Sequence, residues 1–251
     1  MTRSIDLNAD IGEHDGKDYS RDTAILGVVS SANIACGKHA GSLEVMRRTV
    51  ALAYERGVTI GAHPGYPDRE GFGRRELDLP LDEIIDSFQR QIENMHACCD
   101  AEGARLRYVK PHGALYNRAA KEEKLASGLA SCVWTLDNSL VVLALAGGML
   151  ERASGERGLR TAGEAFIDRG YMPDGTLVPR DRPGALVTDD KTAAERAVEI
   201  ANGTVRDING SVITLSAKSL CVHGDSDHAL ETVKSARAAL EASGFTIESF
   251  A

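Results

Sequence analysis

The sequence predicts an α/β fold, one β/α barrel of about seven parallel units spanning residues 1–251. Three observations predict it. Strand-length apolar runs alternate with helix-period segments along the whole chain, the pattern of parallel βα units. Histidines, lysines and carboxylates recur where those strands give way to the next loop. The length of 251 residues also matches the roughly 200–250 residues that an α/β barrel takes as one domain. No Pro/Gly/Ser linker, composition shift, internal repeat or low-complexity tract divides the chain.

The strands read, in order, as Ile5-Asp6-Leu7, Ala32-Asn33-Ile34-Ala35, Val58-Thr59-Ile60, Leu106-Arg107-Tyr108-Val109, residues 140–143, a weaker run at 161–166, and Leu220-Cys221-Val222. The clearest helix carries Leu81, Ile84, Ile85, Phe88, Ile92 and Met95 on one face at helical spacing. Leu125, Leu129, Cys132 and Leu136 predict a second helix, and Ala194, Val198 and Ala201 a third. Ala229, Val233, Ala236 and Leu240 predict a last one, with Ser226 or Asp227 as its N-cap. Two long irregular stretches remain, 66–78 and 168–190, and loops of that length in a compact domain usually bind something.

Composition excludes more than it assigns. With 37 acidic against 29 basic residues the net charge is −8, so nothing here provides the basic footprint of a nucleic-acid binder. The longest apolar stretch, 140–150, falls far short of the about 20 residues that cross a bilayer. The first residues turn acidic before a signal-peptide core could form. The five cysteines are odd in number and lack any C-x-x-C pair, which argues against a disulfide framework and for the reducing cytoplasm. Cys36 and Cys221, in or beside strands, read as small core hydrophobes.

The polar strand ends carry the chemistry. Asn8 and Asp10 end the first strand, Lys38 and His39 follow the second, and His63 the third. Lys110 and His112 follow the fourth, and His223 and Asp225 the last. In a barrel all these ends open on one face, so residues distant in sequence converge on one cleft. Asp10, His63, His112 and Lys110 are the candidate catalytic residues. Asp10, His63 and His112 are equally candidates for holding a divalent metal, because aspartate and neutral imidazole serve as ligands as well as proton carriers. Asn8, Lys38, His39, Arg74, Arg75, His223 and Asp225 are candidate substrate contacts. Arg69 shares the first long loop with Arg74 and Arg75, while Glu164, Asp168, Arg169 and Tyr171 surround the start of the second. His14, His96 and His228 read as loop or surface residues. The chain has no P-loop, no G-x-G-x-x-G after a strand, no G-x-S-x-G elbow and no H-E-x-x-H helix. The residues alone therefore describe a small-molecule hydrolase or lyase using His/Asp chemistry, with a divalent metal as an open alternative.

Longer motifs go further. Residues 7–13 (LNADIGE), 31–41 (SANIACGKHAG), 57–75 (GVTIGAHPGYPDREGFGRR), 109–117 (VKPHGALYN), 164–180 and 219–225 (SLCVHGD) resemble, in order, the LamB/YcsF family, which supplies the first component of 5-oxoprolinase. The resemblance covers nearly the whole chain. It implies a TIM-like, seven-stranded barrel of the glycoside hydrolase/deacetylase type. It also implies ATP-dependent opening of 5-oxo-L-proline to L-glutamate, with ADP and phosphate as products, in company with subunits B and C. ATP has no recognisable motif in this chain, so its site falls here without one or on a partner. Three departures stand out: Lys38 replaces a typical aromatic, Ser42-Leu43 replaces Asp-Pro, and His14-Asp15-Gly16 follows Glu13. A charge beside His39 bears on which lactam is accepted. Two alternatives compete with this reading: a metal-dependent hydrolase or deacetylase of another small amide without ATP, and a non-catalytic binding subunit.

Overall fold

Strand β1 (Arg3–Ile11) sets the pattern of the fold, and the computed structural model describes residues 3–223 and 228–251. Along β1, Asp6, Asn8 and Asp10 alternate with Leu7, Ala9 and Ile11, and all six are buried. Side chains alternate across a strand, so the two sets face opposite sides. The apolar set joins the large core packed by the helices. The polar set bonds across the sheet to residues of other strands, which places it inside a barrel.

Five further strands follow in parallel: β2 (Ser31–Ala35), β3 (Thr59–His63), β4 (Leu106–Val109), β5 (Val141–Leu145) and β6 (Arg160–Phe166). After a short antiparallel hairpin of β7 (Thr204–Arg206) and β8 (Val212–Thr214), β9 (Ser219–Val222) inserts between β6 and β1. That pairing closes a seven-stranded parallel barrel. Strand β10 (Phe245–Ile247) adds to the start of β1 outside the ring. All seven barrel strands coincide with the runs expected from sequence. The hairpin and β10 do not, because elements of three residues are too short to show a period.

Eight helices surround the barrel among the described residues. Helices α3 (Leu81–Ala101), α5 (Glu123–Asp137), α7 (Asp190–Ala201) and α8 (Ala229–Ala242) are those the apolar spacing predicts. The buried faces of α3, α5 and α8 include the expected Phe88, Ile92, Leu129 and Val233, whereas α7 buries Ala193, Ala197 and Ile200, one residue before the expected Ala194, Val198 and Ala201, which are half-buried. Helices α1 (Ser20–Leu26), α2 (Leu43–Glu55), α4 (Gly113–Ala119) and α6 (Met149–Glu156) are additions to that expectation. Ser42 caps α2 by accepting from the Val45 N–H at 3.1 Å. Ser42 followed by Leu43 therefore supplies a working cap. Asp189 caps α7 in the same way, accepting from the Thr192 N–H at 2.8 Å. The N-caps expected for α8, Ser226 and Asp227, lie outside the described residues; the helix begins after His228.

The barrel interior has two parts. One is apolar, where Tyr108, Val141, Leu143 and Ala162 pack with Phe250. The other is a polar column that leads to the C-terminal ends of the strands. No helix is long and apolar enough to cross a membrane among the described residues.

Candidate functional site

The polar column begins deep in the barrel. Asp6 accepts hydrogen bonds from Ser30 (2.7 Å), Ser31 (2.6 Å) and Ser219. Burial pushes its carboxyl up to about 6, against the lowering effect of those hydroxyls. Asn8 donates to Ser219 Oγ at 2.6 Å and to Glu164 Oε1 at 3.1 Å. Asn33 donates to Asn8 Oδ1 at 2.6 Å and to Asp10 Oδ1 at 2.8 Å, and accepts from the Tyr108 hydroxyl at 2.7 Å. Each amide is thereby fixed in orientation, and buried polar groups satisfied in this way hold one geometry.

Lys110 crowns the column. Its ammonium is 2.9 Å from Asp10 Oδ1, 2.9 Å from Glu164 Oε1 and 3.1 Å from Cys221 Sγ. Burial favours losing that proton, but the charge of Asp10, with a smaller contribution from Glu164, raises the ammonium well above the usual lysine range. Lys110 is therefore a fixed cation. Asp10 shows the converse: burial opposes ionisation, but His63 and Lys110 hold the carboxyl well below the usual range. Cys221 is more than filler, because its thiol takes one of the three ammonium hydrogens. Burial raises that thiol well above its usual value, so it stays a weak neutral acceptor.

Three imidazoles meet Asp10 at the strand ends. His63 Nδ1 is 2.8 Å from the Lys110 carbonyl and His112 Nε2 is 2.8 Å from the Phe72 carbonyl. Carbonyls only accept, so both of those nitrogens carry the hydrogen. In neutral rings that leaves His63 Nε2 and His112 Nδ1 as lone pairs, 2.9 Å apart. Asp10 Oδ1 lies 3.4 Å from the first, and Glu13 Oε1 lies 3.4 Å from the second. His39 stacks on His112 with ring centroids 3.7 Å apart and places its Nε2 3.1 Å from Glu13 Oε1. Burial, then the neighbouring imidazoles, pull His39 and His112 well below the usual histidine range. Two neutral rings would face each other lone pair to lone pair, a repulsion removed when a cation lies between them. The ligand atoms of Asp10, Glu13, His63 and His112 all lie within 4.8 Å of one another, so this group could hold a metal ion. The backbone carbonyls behind His63 and His112 are the outer partners that orient such ligands.

The first long loop builds one wall of this cluster. Phe72 adopts a left-handed backbone with φ of 54°, unusual for a residue with a side chain, and thereby presents its carbonyl to His112. A Cβ at Gly65 would come within 2.9 Å of His39 Nδ1, so the loop passes the imidazoles only as glycine. Arg69 donates to the carbonyls of Gly37 and Gly41 at 3.1 and 2.7 Å and ties this loop to the next.

A cavity of about 500 Å³ opens above the cluster. Asp10, His63, Lys110 and His112 line it together with Tyr116, Phe166, Arg74, Arg169 and Arg180. His223 also lines it. Its Nδ1 faces Asp168 Oδ2 at 2.8 Å, while its ring stacks on Phe166 with centroids 5.3 Å apart. Burial works against the charge on Asp168, but His223 outweighs it and holds the carboxyl below its usual range.

The sequence-derived candidates thus divide. Asp10, His63, Lys110, His112, Arg74 and His223 share the cavity, with His39 directly behind. Asn8 lies deeper and reaches the site through Glu164 and Asn33. Lys38 is exposed and does not line the cavity, so its charge stays out of the space beside His39. Arg75 is paired with Asp68, away from the cavity lining. Asp225 lies outside the described residues. Glu13, Asn33, Tyr116 and Arg180 join the site without a signal read from sequence. Counting by two back from the strand-end residues would have found Asn33 and Glu164, which share the inner face with Asp10 and Phe166. Glu13 and Arg180 belong to loops, where no period exists.

The comparisons agree with this architecture. The A subunit of 5-oxoprolinase from Haemophilus influenzae (strain PittEE) is 46% identical over 233 residues, covering 92% of this chain and 94% of that protein. The crystal structure of the lactam utilization protein from Thermus thermophilus superposes with a TM-score of 0.91 at 40% identity, over 98% of this chain and 100% of that one. The peptidoglycan deacetylase PdaC of Bacillus subtilis, at 12% identity and a TM-score of 0.50 over 99% of this chain and 88% of that one, shares the fold alone. The LamB/YcsF family profile matches residues 5–251, and the chain belongs to the LamB/YcsF family.

Proposed function

We propose that this chain is the lactam-opening component of an ATP-dependent 5-oxoprolinase, a barrel domain of residues 1–251 that acts in the cytoplasm with subunits B and C. The reaction consumes 5-oxo-L-proline, ATP and water and yields L-glutamate, ADP and phosphate. One observation carries the assignment of the site: His63 Nε2 and His112 Nδ1 face each other at 2.9 Å beside the carboxylates of Asp10 and Glu13, at a substrate-sized cavity. Relatives named for 5-oxoprolinase and lactam utilization support the choice of a lactam.

A lactam is a stabilised amide, so its carbonyl must be made more electrophilic before water attacks. ATP does this by phosphorylating the lactam oxygen with release of ADP. One water adds to the activated carbon, the ring C–N bond breaks to leave a γ-acyl phosphate and a free amine, and a second water releases phosphate to give glutamate. A divalent ion held by Asp10, Glu13, His63 and His112 would add Lewis acidity at the same carbonyl. The chain's own groups do the rest. His39 orients Glu13, and the Lys110 and Phe72 carbonyls orient the two imidazoles. His223, with Nδ1–H directed to Asp168, keeps Nε2 as the proton acceptor for the attacking water and returns that proton to the departing ring nitrogen. Lys110 stabilises negative charge on the carbonyl oxygen; the hydrogen it gives to the Cys221 thiol, a weak acceptor, is the one that oxygen takes over.

Glutamate release by the purified chain, with and without ATP and subunits B and C, tests the reaction. Release only from the complete mixture is expected, with at least about a hundredfold loss in His223→Ala and in His63→Ala. Undiminished release by both variants would sink the site. Amide cleavage without ATP would favour a second reading, a metal-dependent amide hydrolase, which the Asp10, Glu13, His63 and His112 cluster by itself would also serve. Metal analysis of the purified chain, expected to fall on His63→Ala substitution, separates ligand from acid–base roles.

A further inference from the structure

The cavity holds a second set of charged groups besides the histidine cluster. Arg74 reaches it from the first long loop, and Arg169 and Arg180 from the second. Arg169 is only 3% exposed. Its Nε donates to the Ala185 carbonyl at 3.0 Å and its Nη2 to the Val178 carbonyl at 2.7 Å. Those neutral acceptors fix the guanidinium plane without cancelling its charge. Burial pushes this guanidinium down to about 10; of the charges acting on it that of Arg180 is the strongest and adds to the lowering, as Arg74 does more weakly, while Asp168 opposes them. Like charges gathered around one partly desolvated cavity repel, and an anion shared between them relieves the repulsion.

We propose that Arg74, Arg169 and Arg180 form an oxyanion subsite within the cavity, taking a carboxylate or phosphoryl group of the bound ligand while its amide faces Lys110 and the Asp10, His63 and His112 cluster. This rests on reading the cavity as the lactam pocket. The planar guanidinium fork matches either oxyanion, and the preset plane of Arg169 lowers the entropy lost on binding. The carboxylate of 5-oxoproline is one source of that chemistry, and a transferred phosphate is the other. The subsite would fix the orientation of a ring that otherwise offers only one carbonyl and one N–H.

Calorimetric titration of the full chain with 5-oxoproline, its neutral carboxamide and inorganic phosphate tests this, using the wild type, Arg180→Gln, Arg74→Gln and the charge-retaining Arg169→Lys. Melting curves confirm that each variant is folded. The wild type is expected to bind 5-oxoproline at least about tenfold more tightly than the carboxamide, the ratio that one charge-assisted hydrogen bond supplies. Arg180→Gln and Arg74→Gln should erase that ratio while leaving carboxamide binding unchanged. Arg169→Lys should weaken it, because the fork is lost although the charge remains. If phosphate binding falls in these variants instead, the subsite stands and its occupant is the phosphoryl group. If 5-oxoproline fails to bind the wild type but phosphate binds and responds to the substitutions, the lactam reading fails and the subsite survives. Equal binding of every oxyanion by wild type and all folded variants overturns the proposal.

Discussion

The two faces of the barrel strands follow opposite rules. Outward, β1, β2 and β9 show Leu7, Ala9, Ile34, Leu220 and Val222, packed under the helices. Inward, the same strands show Asp6, Asn8, Asp10, Asn33, Ser219 and Cys221, with the carboxylates, amides and hydroxyl bonded to one another. The outer face supplies area removed from water, worth about 1.5–3 kcal/mol for each large side chain fully buried. The inner face gains little net stability from its hydrogen bonds and instead fixes the positions of groups that do chemistry. Stability and function are therefore separated by the strand period, one residue apart in sequence.

Substitutions on the two faces should separate just as sharply. The largest effect belongs to the inner face near the cavity: Asp10→Ala should lower kcat by about 10²–10⁴-fold in the reconstituted assay, the range expected for a group acting in the transition state. A loss smaller than tenfold would remove Asp10 from the machinery. Next comes Lys110→Met, which leaves Asp10 and Glu164 buried without their shared cation. It should cost about 3–5 kcal/mol in denaturant unfolding. Adding Glu164→Gln should recover part of that loss, which distinguishes charge from packing.

On the outer face, Leu129→Ala on α5, fully buried, should cost about 2–5 kcal/mol of stability. Activity per folded molecule should nevertheless match the wild type; a kcat falling with stability would break the separation. Asp6 gives a pH signature within the inner column. Its folded pKa of about 6 lies above the ordinary 3.8, so the folded state favours the protonated acid. Its stabilising contribution is complete below about pH 4 and is lost as pH rises through 6, by about 3 kcal/mol. Asp6→Asn should flatten that part of the unfolding free energy plotted against pH. The smallest effect is expected for Lys38→Gln, which should leave KM within about twofold and stability within about 0.5 kcal/mol, because Lys38 is exposed and outside the cavity.

The legible parts of the fold are those with a period. The seven barrel strands and helices α3, α5, α7 and α8 carry enough residues to repeat a pattern, whereas β10 and the β7–β8 hairpin are three-residue pieces placed by their neighbours. Helix α2 is harder to read despite its 13 residues, because one of its six buried side chains is the polar Thr49. In the site, His63 and His112 are visible because strand ends converge in any barrel. Lys38, also near a strand end, and Arg75, in the first long loop, lie outside the cavity: the direction of a loop side chain depends on its local turn and its ion partner, here Asp68 for Arg75.

By itself the sequence determined the order of elements, the barrel class, the set of strand-end residues and the family resemblance, all of which depend on near neighbours in the chain or on extended motifs. Tertiary structure alone decided that Glu13 joins Asp10, that His63 Nε2 and His112 Nδ1 meet, and that Lys110 lies between two carboxylates. It also decided that Arg74, Arg169 and Arg180 meet over one cavity. The physical reason is range. Periodicity reports which face of an element is buried, whereas hydrogen bonds and charge interactions act over a few ångströms between residues far apart in the chain, as for Asn8 and Ser219, 211 positions apart. Only the closed barrel brings them within that reach.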